Sequence, residues 1–197
     1  MSDKLHLGCG DVYLPGWVNL DIGECKADVY HNLDELPYPF ADDTFDTIIA
    51  NHVIEHLARD KWPKIVDEFY RISAPNAIWD FRCPYALSDD YATDPTHTNP
   101  LSARSFDYFD PTRPLGRLGQ IYGFKANLRV VSAELNRESK TGPEVRVRLL
   151  VAKEDKAPVR IPEGFVNPLY ADELTTRYKL RKIFYKIPGM LKLRGKV

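Results

Sequence analysis

The sequence lacks the features of a membrane or secreted protein. No apolar run approaches the roughly 20 residues needed to cross a bilayer, and the opening Met-Ser-Asp-Lys lacks the apolar stretch of a signal peptide. The three cysteines, Cys9, Cys25 and Cys83, match neither a metal-binding pair nor a disulfide framework. We therefore expect a cytoplasmic protein without a transmembrane segment.

The chain also lacks a large net charge, but its charges are unevenly divided. The 197 residues carry a net charge of −1. Residues 1–100 contain 7 Lys and Arg against 18 Asp and Glu, whereas residues 101–197 contain 20 against 10. Two interpretations stay open: the two halves attract each other, or a basic face meets an anionic partner such as nucleic acid, a phosphorylated glycan or a lipid surface.

A glycine turn near the N-terminus is the first indication of a binding site. A short apolar strand runs into Gly8-Cys9-Gly10, and a second strand ends on Asp21. Glycine lets a ligand lie against the backbone, and a carboxylate at a strand end can accept hydrogen bonds from both hydroxyls of a ribose. Because Val12 replaces a third glycine and Pro15-Gly16 prevents a helix that would hold a pyrophosphate, a ribose ligand without phosphate fits better than NAD or FAD.

Hydrophobic patterning predicts an α/β domain. Seven apolar runs predict strands at about 4–7, 17–20, 27–31, 45–50, 77–81, 128–135 and 145–152. Helical spacing of apolar residues predicts a helix over 61–73 with Asp60 as its N-cap. A short helix capped by Ser102 is expected over 102–109, while 83–100 and the stretch marked by Gly116, Gly119 and Gly123 are expected to be loops.

The C-terminal residues 155–197 are expected to form an extension of the domain. Residues 155–170 hold three prolines and are predicted to run over the surface. Residues 172–187 predict a basic amphipathic helix that packs on the core, pairs two copies of the chain in a homodimer, or lies on an anionic membrane. Packing or pairing is favoured because six apolar side chains of this helix need cover.

Four motifs in order resemble the class I S-adenosylmethionine-dependent methyltransferases, specifically the methyltransferase-11-like group. They are Leu7-Gly8-Cys9-Gly10, Asp21, Leu36-Pro37-Tyr38-Pro39-Phe40 through Phe45-Asp46, and His52-Val53-Ile54-Glu55-His56-Leu57. The resemblance covers roughly residues 4–82. It implies a Rossmann-like methyltransferase fold with a mostly parallel central sheet and a C-terminal antiparallel strand pair, and S-adenosylmethionine as the cofactor.

The same resemblance implies which residues bind this cofactor. The backbone of Gly8, Cys9 and Gly10 would approach its methionine part, and Asp21 would hold the ribose hydroxyls. The remaining residues are Ile22 against the adenine ring, Asn32 accepting from the adenine amino group, Leu33 contacting the ring through its backbone, and Asn51 and His52 lining the cleft near the sulfonium. His6 and Val12 depart from the family pattern, which often has an acid and a third glycine in those places.

The acceptor side is predicted from 83–125, a loop and helix insertion after the fifth strand. In this fold that insertion faces the methyl group, and it contains Asp94 and His97. Methyl transfer depends chiefly on positioning, but a hydroxyl acceptor benefits from a base. We predict His97 as that base or as an acceptor contact, Asp94 as the group that orients it, and His52 as a third catalytic candidate.

Two other interpretations, a zinc peptidase and a nucleic-acid methyltransferase, each require a motif in this region. His52-Val53-Ile54-Glu55-His56 matches the letters of a zinc-peptidase pattern. That pattern needs a long helix and a further ligand downstream, so we predict no metal and expect Glu55 and His56 to fix the loop by hydrogen bonds. For a nucleic-acid enzyme, the fourth strand would be expected to end in an Asp/Asn-Pro-Pro-Tyr-type motif, which is absent there.

The sequence therefore predicts a methyltransferase domain at 1–154 followed by the extension at 155–197. Its predicted activity is methylation of a small molecule or glycan, most plausibly on oxygen. The alternatives are a non-catalytic cofactor-binding or partner-regulating module of the same fold, and a nucleic-acid methyltransferase.

Overall fold

The protein is built on one seven-stranded sheet. The computed structural model describes residues 3–139 and 142–153. The strands are β1 (Asp3–Leu7), β2 (Val18–Asp21), β3 (Val29–Tyr30), β4 (Phe45–Asn51), β5 (Ser73–Pro84), β6 (Leu128–Asn136) and β7 (Glu144–Val151). Their order is β3-β2-β1-β4-β5-β7-β6; β1 to β5 are parallel, and β7 is antiparallel to both β5 and β6. The predicted fold class is confirmed.

The carboxyl ends of the parallel strands lie at one edge of the sheet, which places the predicted site residues together. The link from β1 to β2 contains no helix, which its short length predicted. Buried Asn19 fixes it: its Oδ1 accepts from the Leu14 N–H at 2.9 Å, and its Nδ2 donates to the carbonyls of Leu14 and Trp17 at 3.0 Å. These bonds satisfy backbone N–H and carbonyl groups of the link, which in a crossover helix would bond to each other.

Helix α1 (Trp62–Ile72) crosses between β4 and β5 and covers one face of the sheet. Its five buried side chains, Trp62, Ile65, Val66, Phe69 and Ile72, recur at helical spacing. Phe69 meets Trp79 and Phe81 of β5 edge to face, with ring centroids 5.9 and 6.0 Å apart. Burial of each large side chain contributes about 1.5–3 kcal/mol.

The predicted Asp60 cap is wrong. The residue before the helix is Lys61, and no side chain caps the helix. A turn precedes α1, so the first N–H groups find backbone partners instead: Lys61 donates to the Ala58 carbonyl at 3.0 Å, and Trp62 donates to the Arg59 carbonyl at 3.3 Å. The N–H groups of Lys61 and Trp62 therefore need no acidic cap.

The segment between β5 and β6 is more helical than predicted. It contains α2 (Asp89–Thr93), a 3₁₀ helix (Ser105–Phe109) and α3 (Pro114–Ile121). The sequence predicted a loop here, but Ser88 caps α2: its hydroxyl accepts from the Tyr91 N–H. The helix predicted over 102–109 begins only at Ser105, whose hydroxyl accepts from the Ser102 N–H at 2.9 Å.

The glycines expected to mark a loop instead form close backbone contacts of a helix. Gly116 and Gly119 lie within α3, where an added Cβ would stand 1.9 Å from the Asp110 carbonyl oxygen and 2.0 Å from that of Tyr108. Only glycine permits this approach. Gly123, with φ +85°, follows the helix and ends it.

The predicted extension at 155–197 and its basic helix lie outside the described residues. All of the described residues fall within one compact unit, Met1–Glu163. None of the helices in the described ranges is long and apolar enough to span a membrane.

Candidate active site

The turn after β1 combines two glycines with different constraints. Gly8 and Gly10 have φ of +56° and +49°. A Cβ on Gly8 would lie 2.3 Å from Cγ2 of Val53, whereas a Cβ on Gly10 would meet nothing within 4 Å. Gly8 is thus required by packing against the loop after β4, and Gly10 borders open space in which a ligand can lie against the backbone.

Asp21 is held as an anion beside this turn. Its Oδ2 accepts from the Gly10 N–H at 2.8 Å, and its Oδ1 accepts from the Gly23 N–H at 2.7 Å. Burial alone would raise the pKa of this carboxyl, but hydrogen bonds from the Gly10, Gly23 and Ile22 backbone lower it. Each oxygen keeps a further lone pair, so the carboxylate can still accept from ribose hydroxyls.

Cys9 contributes its backbone rather than its thiol. Its N–H donates to the Leu20 carbonyl at 3.1 Å, which ties the turn to β2. The thiol is buried, and burial raises its pKa, so it stays protonated.

The predicted adenine contacts lie next to Asp21. The His31 N–H donates to the Asp21 carbonyl at 3.0 Å, which brings the loop after β3 to this edge. Ile22 is 70% exposed and so presents an apolar surface that a ring could cover. The Asn32 Oδ1 already accepts from the Asp34 N–H at 3.0 Å. The carbonyl of the buried Leu33 accepts from the Tyr38 hydroxyl at 2.9 Å. The roles of all three toward a cofactor remain predictions.

At the tip of β4, Asn51 is followed by His52 in an unusual backbone conformation. His52 has φ +55° and donates its N–H to the Arg82 carbonyl at 2.9 Å. Its imidazole lies between two buried carboxylates, with Nδ1 3.3 Å from Glu55 and Nε2 3.0 Å from Glu144. The bond to Glu144, followed by that to Glu55, raises the pKa of His52 to about 9. At neutral pH its chemistry is therefore that of a cation, not of a proton acceptor.

Glu144 is a site residue that the sequence did not indicate. It begins β7, is buried, and pairs with both His52 and Arg82. No motif surrounds it, and 92 residues separate it from His52. Only the pairing of β7 with β5 brings it to the tip of β4.

The three predicted catalytic residues line a single cleft of about 760 Å³. Its walls are His52, Glu55, His56, Pro84, Asp90, Thr93, Asp94, Pro95 and His97. The structure thus brings together His52, Asp94 and His97, although the first is more than 40 positions from the others in the sequence.

His97 is oriented by Tyr91 more than by Asp94. Its Nδ1 lies 3.0 Å from the Tyr91 carbonyl, and its ring stacks on Tyr91 with centroids 5.3 Å apart. Asp94 Oδ2 stands 3.7 Å from Nε2, beyond hydrogen-bond distance. The orienting role predicted for Asp94 therefore has no direct hydrogen bond in this structure.

Backbone bonds connect the acceptor-side loop to the tip of β4. The N–H groups of Thr98 and Asn99 both donate to the Glu55 carbonyl, at 3.0 and 2.9 Å. The Asn99 side chain adds a bond to the Ile54 carbonyl at 3.0 Å. Since Val53 packs on Gly8, the short segment 53–56 contacts both the cofactor turn and the cleft.

The seven-stranded fold resembles that of Rossmann-like methyltransferase domains. A family model described as a methyltransferase domain, the methyltransferase-11 family, matches residues 25–79. This match and the fold confirm the predicted resemblance to the class I S-adenosylmethionine-dependent methyltransferases and its methyltransferase-11-like group. The cofactor that they imply is S-adenosylmethionine.

Solved structures show the same fold at low sequence identity. One is the complex between the Haloferax volcanii Trm112 methyltransferase activator and the putative methyltransferase, with a TM-score of 0.52, 13% identity, and coverage of 78% of this chain and 85% of that one. Another is the N-methyltransferase NodS from Bradyrhizobium japonicum WM9, with a TM-score of 0.50, 12% identity, and coverage of 77% and 86%. A search of curated protein sequences found no match.

Proposed function

We propose that this protein transfers the methyl group of S-adenosylmethionine to a hydroxyl oxygen of a small molecule or glycan. The observation that carries the proposal is the segment 53–56, which contacts the glycine turn on one side and the loop of His97 on the other. A methyl donor on the turn and an acceptor in the cleft would then meet at the tip of β4. The proposal includes action in the cytoplasm, which rests on the sequence alone.

The residues of the turn have the chemistry that the cofactor requires. Open space beside Gly10 suits close approach of a ligand to the backbone, and the ionised Asp21 suits two ribose hydroxyls. The exposed Ile22 suits an adenine ring. When bound, the cofactor supplies an electrophilic methyl group, and the chain positions it.

The cleft supplies the acceptor side. Transfer breaks the carbon–sulfur bond, forms a carbon–oxygen bond and releases the hydroxyl proton. Because the Tyr91 carbonyl can only accept, His97 Nδ1 must carry the hydrogen of that bond, which leaves a lone pair on Nε2. That lone pair can take the proton or contact the acceptor. Exclusion of water and alignment of the two reactants provide most of the rate enhancement.

The test uses labelled S-adenosylmethionine with panels of hydroxylated small molecules and glycans. Label should appear on an acceptor oxygen, identified by mass spectrometry. His97→Gln should lower turnover by about 100-fold or more while leaving the calorimetric affinity for the cofactor unchanged. Lys64→Ala, on the exposed side of α1, is the control and should behave like the unaltered protein.

Other outcomes would point to the alternatives. Cofactor binding with no transfer to any acceptor would favour a non-catalytic module. Transfer to nucleic acid, with binding that weakens steeply with salt, would replace the proposed acceptor class. Failure to bind S-adenosylmethionine would remove the proposal altogether.

A further inference from the structure

Three side chains in the acceptor cleft bring possible metal-ligating atoms close together. One donor atom from each of Glu55, His56 and His97 lies within 4.8 Å of the other two. Glu55 and His56 come from the loop after β4, and His97 comes from the insertion 41 residues later. Two imidazoles and one carboxylate are a common ligand set for divalent transition metals.

The hydrogen bond of His97 fixes its tautomer. Its Nδ1 lies 3.0 Å from the Tyr91 carbonyl, which can only accept. In the neutral ring the proton is therefore on Nδ1, and Nε2 carries the lone pair. The His97 side chain is 9% exposed, so few other orientations are open to it.

The tautomer of His56 is fixed through Thr96. The Thr96 hydroxyl donates its single hydrogen to Asp94 Oδ1 at 2.6 Å. It must then accept from His56 Nδ1, which lies 2.9 Å away. His56 therefore also carries its lone pair on Nε2. Metal-binding histidines commonly use one nitrogen in this way, with a carbonyl, hydroxyl or carboxylate holding the other.

Glu55 provides the anionic member of the set. Its side chain is 1% exposed, and within residues 3–139 and 142–153 neither carboxylate oxygen has a well-aligned hydrogen bond. The His52 imidazole at 3.3 Å is its close ionic neighbour. This single neighbour compensates the buried carboxylate only in part, and a coordinated cation would complete the compensation.

The surroundings of the set favour a cation. The cleft is lined by three carboxylates, Glu55, Asp90 and Asp94, against one cationic side chain, His52, and its lining contains no Lys or Arg. This distribution produces a negative potential that attracts cations.

We propose that Glu55, His56 and His97 form a binding site for a divalent transition-metal cation in the acceptor cleft. Ligand atoms around one such ion lie about 3.3 Å apart, given metal–ligand distances of about 2.0 Å. Small side-chain rotations would bring the three groups onto one ion. Three protein ligands leave coordination positions for an acceptor oxygen.

The site concerns the same cleft as the proposed function but does not depend on methyl transfer. With a cation bound, His97 is a ligand and no longer a base. The cation would then lower the pKa of a coordinated acceptor hydroxyl, which makes that oxygen a better nucleophile. Metal binding is measured without methyl donor or acceptor, so either proposal can fail alone.

A second cluster, Cys9, Asp21 and Cys25, also has donor atoms within 4.8 Å of one another. It is the poorer candidate. Both Asp21 oxygens already accept backbone N–H groups, and the buried Cys9 thiol is protonated. The experiment must nevertheless separate the two clusters.

The full-length protein, stripped with a chelator, is titrated with Co²⁺ while visible absorption is recorded, and with Zn²⁺ against a chromophoric chelator. We expect one ion per chain and no thiolate-to-metal charge-transfer band. His56→Ala and His97→Ala should each weaken binding by more than about 100-fold. Thr96→Val should weaken it by about tenfold, because it removes only the group that orients His56. His31→Ala and Cys25→Ser are the controls and should bind as the unaltered protein does.

Three results would overturn the site. They are no binding of either ion by the unaltered protein, binding that survives both histidine variants, and binding that is lost in Cys25→Ser. Circular dichroism checks that each variant is folded. Glu55→Gln, which has the same shape as glutamate, shows whether the carboxylate charge is needed, and undiminished binding in it would likewise count against the site.

Discussion

The cofactor turn and the acceptor cleft are assembled in different ways. In the turn, the bond between Gly10 and Asp21 joins residues 11 positions apart. In the cleft, the bond between His52 and Glu144 spans 92 positions, and that between His56 and Thr96 spans 40. The pairing of the turn with Asp21 is therefore local, whereas the cleft exists only when distant segments have packed.

Because of this difference, we expect substitutions in the two regions to change different properties: ligand affinity in the turn and folding stability beneath the cleft. Changes in the turn should affect ligand binding more than folding, because Gly10 faces open space and Asp21 is held by neighbouring backbone. Changes beneath the cleft should affect folding first, because its residues bridge β4, β5 and β7.

The largest effect is expected from Glu144→Gln. This change leaves the Arg82 guanidinium and the His52 imidazolium without the buried carboxylate between them. Breaking a buried ion pair from one side costs about 3–5 kcal/mol. Urea denaturation should show this loss, while Glu134→Gln, exposed on β6, should change stability by less than about 0.5 kcal/mol. Equal losses in the two variants would contradict the contrast between cleft and surface.

Gly116→Ala should have the next largest effect. The new Cβ would stand 1.9 Å from the Asp110 carbonyl oxygen and 2.4 Å from its carbon, and backbone cannot yield as a flexible side chain can. We expect a loss of about 3 kcal/mol in the free energy of unfolding. Leu118→Ala, on the more exposed side of α3, is the control. A variant as stable as the unaltered protein would show that α3 can move away from residue 110 at little cost.

Asp21→Asn tests the cofactor side of the comparison. The neutral amide loses the charge assistance of the hydrogen bonds to the two ribose hydroxyls, a weakening of about 1 kcal/mol for each bond. Calorimetry should show affinity for S-adenosylmethionine falling by about 10- to 100-fold, and the urea midpoint should fall only by the cost of turning the new amide NH2 group toward the Gly10 or Gly23 N–H. Asp60→Asn, before α1, serves as the control. An unchanged affinity would remove the ribose role of Asp21.

The smallest effect is expected from Asp60→Ala. Loss of an N-cap costs about 1 kcal/mol, but α1 begins with Lys61 and has no side-chain cap. The free energy of unfolding, measured by thermal denaturation, should therefore change by less than about 0.5 kcal/mol. A loss near 1 kcal/mol would restore the cap that the sequence suggested.

The errors made from sequence have a common physical origin. Gly116 and Gly119 indicated a loop because glycine disfavours helices, but close backbone packing outweighed that preference. Asp60 indicated a cap because its side chain can accept, but a preceding turn had already supplied backbone acceptors. In each case the packing or hydrogen bonding of the surrounding backbone outweighed the preference of the single residue.

The metal site illustrates the same limit. The sequence predicts no zinc site at the His52–His56 pattern, because that pattern needs a long helix and a further ligand downstream. In the structure His52 turns toward Glu144, and His97 takes the place beside Glu55 and His56. The ligand set that we propose mixes two loops that no spacing rule connects.

By itself, the sequence determined the strands, their α/β class, the helix-free link after β1 and the glycine turn with Asp21. These features depend on hydrophobic period and on residues close in the chain, which short-range physics fixes. Only the tertiary structure decided the packing of α3, the clamping of His52 and the meeting of Glu55, His56 and His97. The last two arise from strand pairing and loop docking across 40 to 92 residues, whereas α3 packs on backbone 6 to 11 residues away, and no single-residue preference specifies any of these contacts.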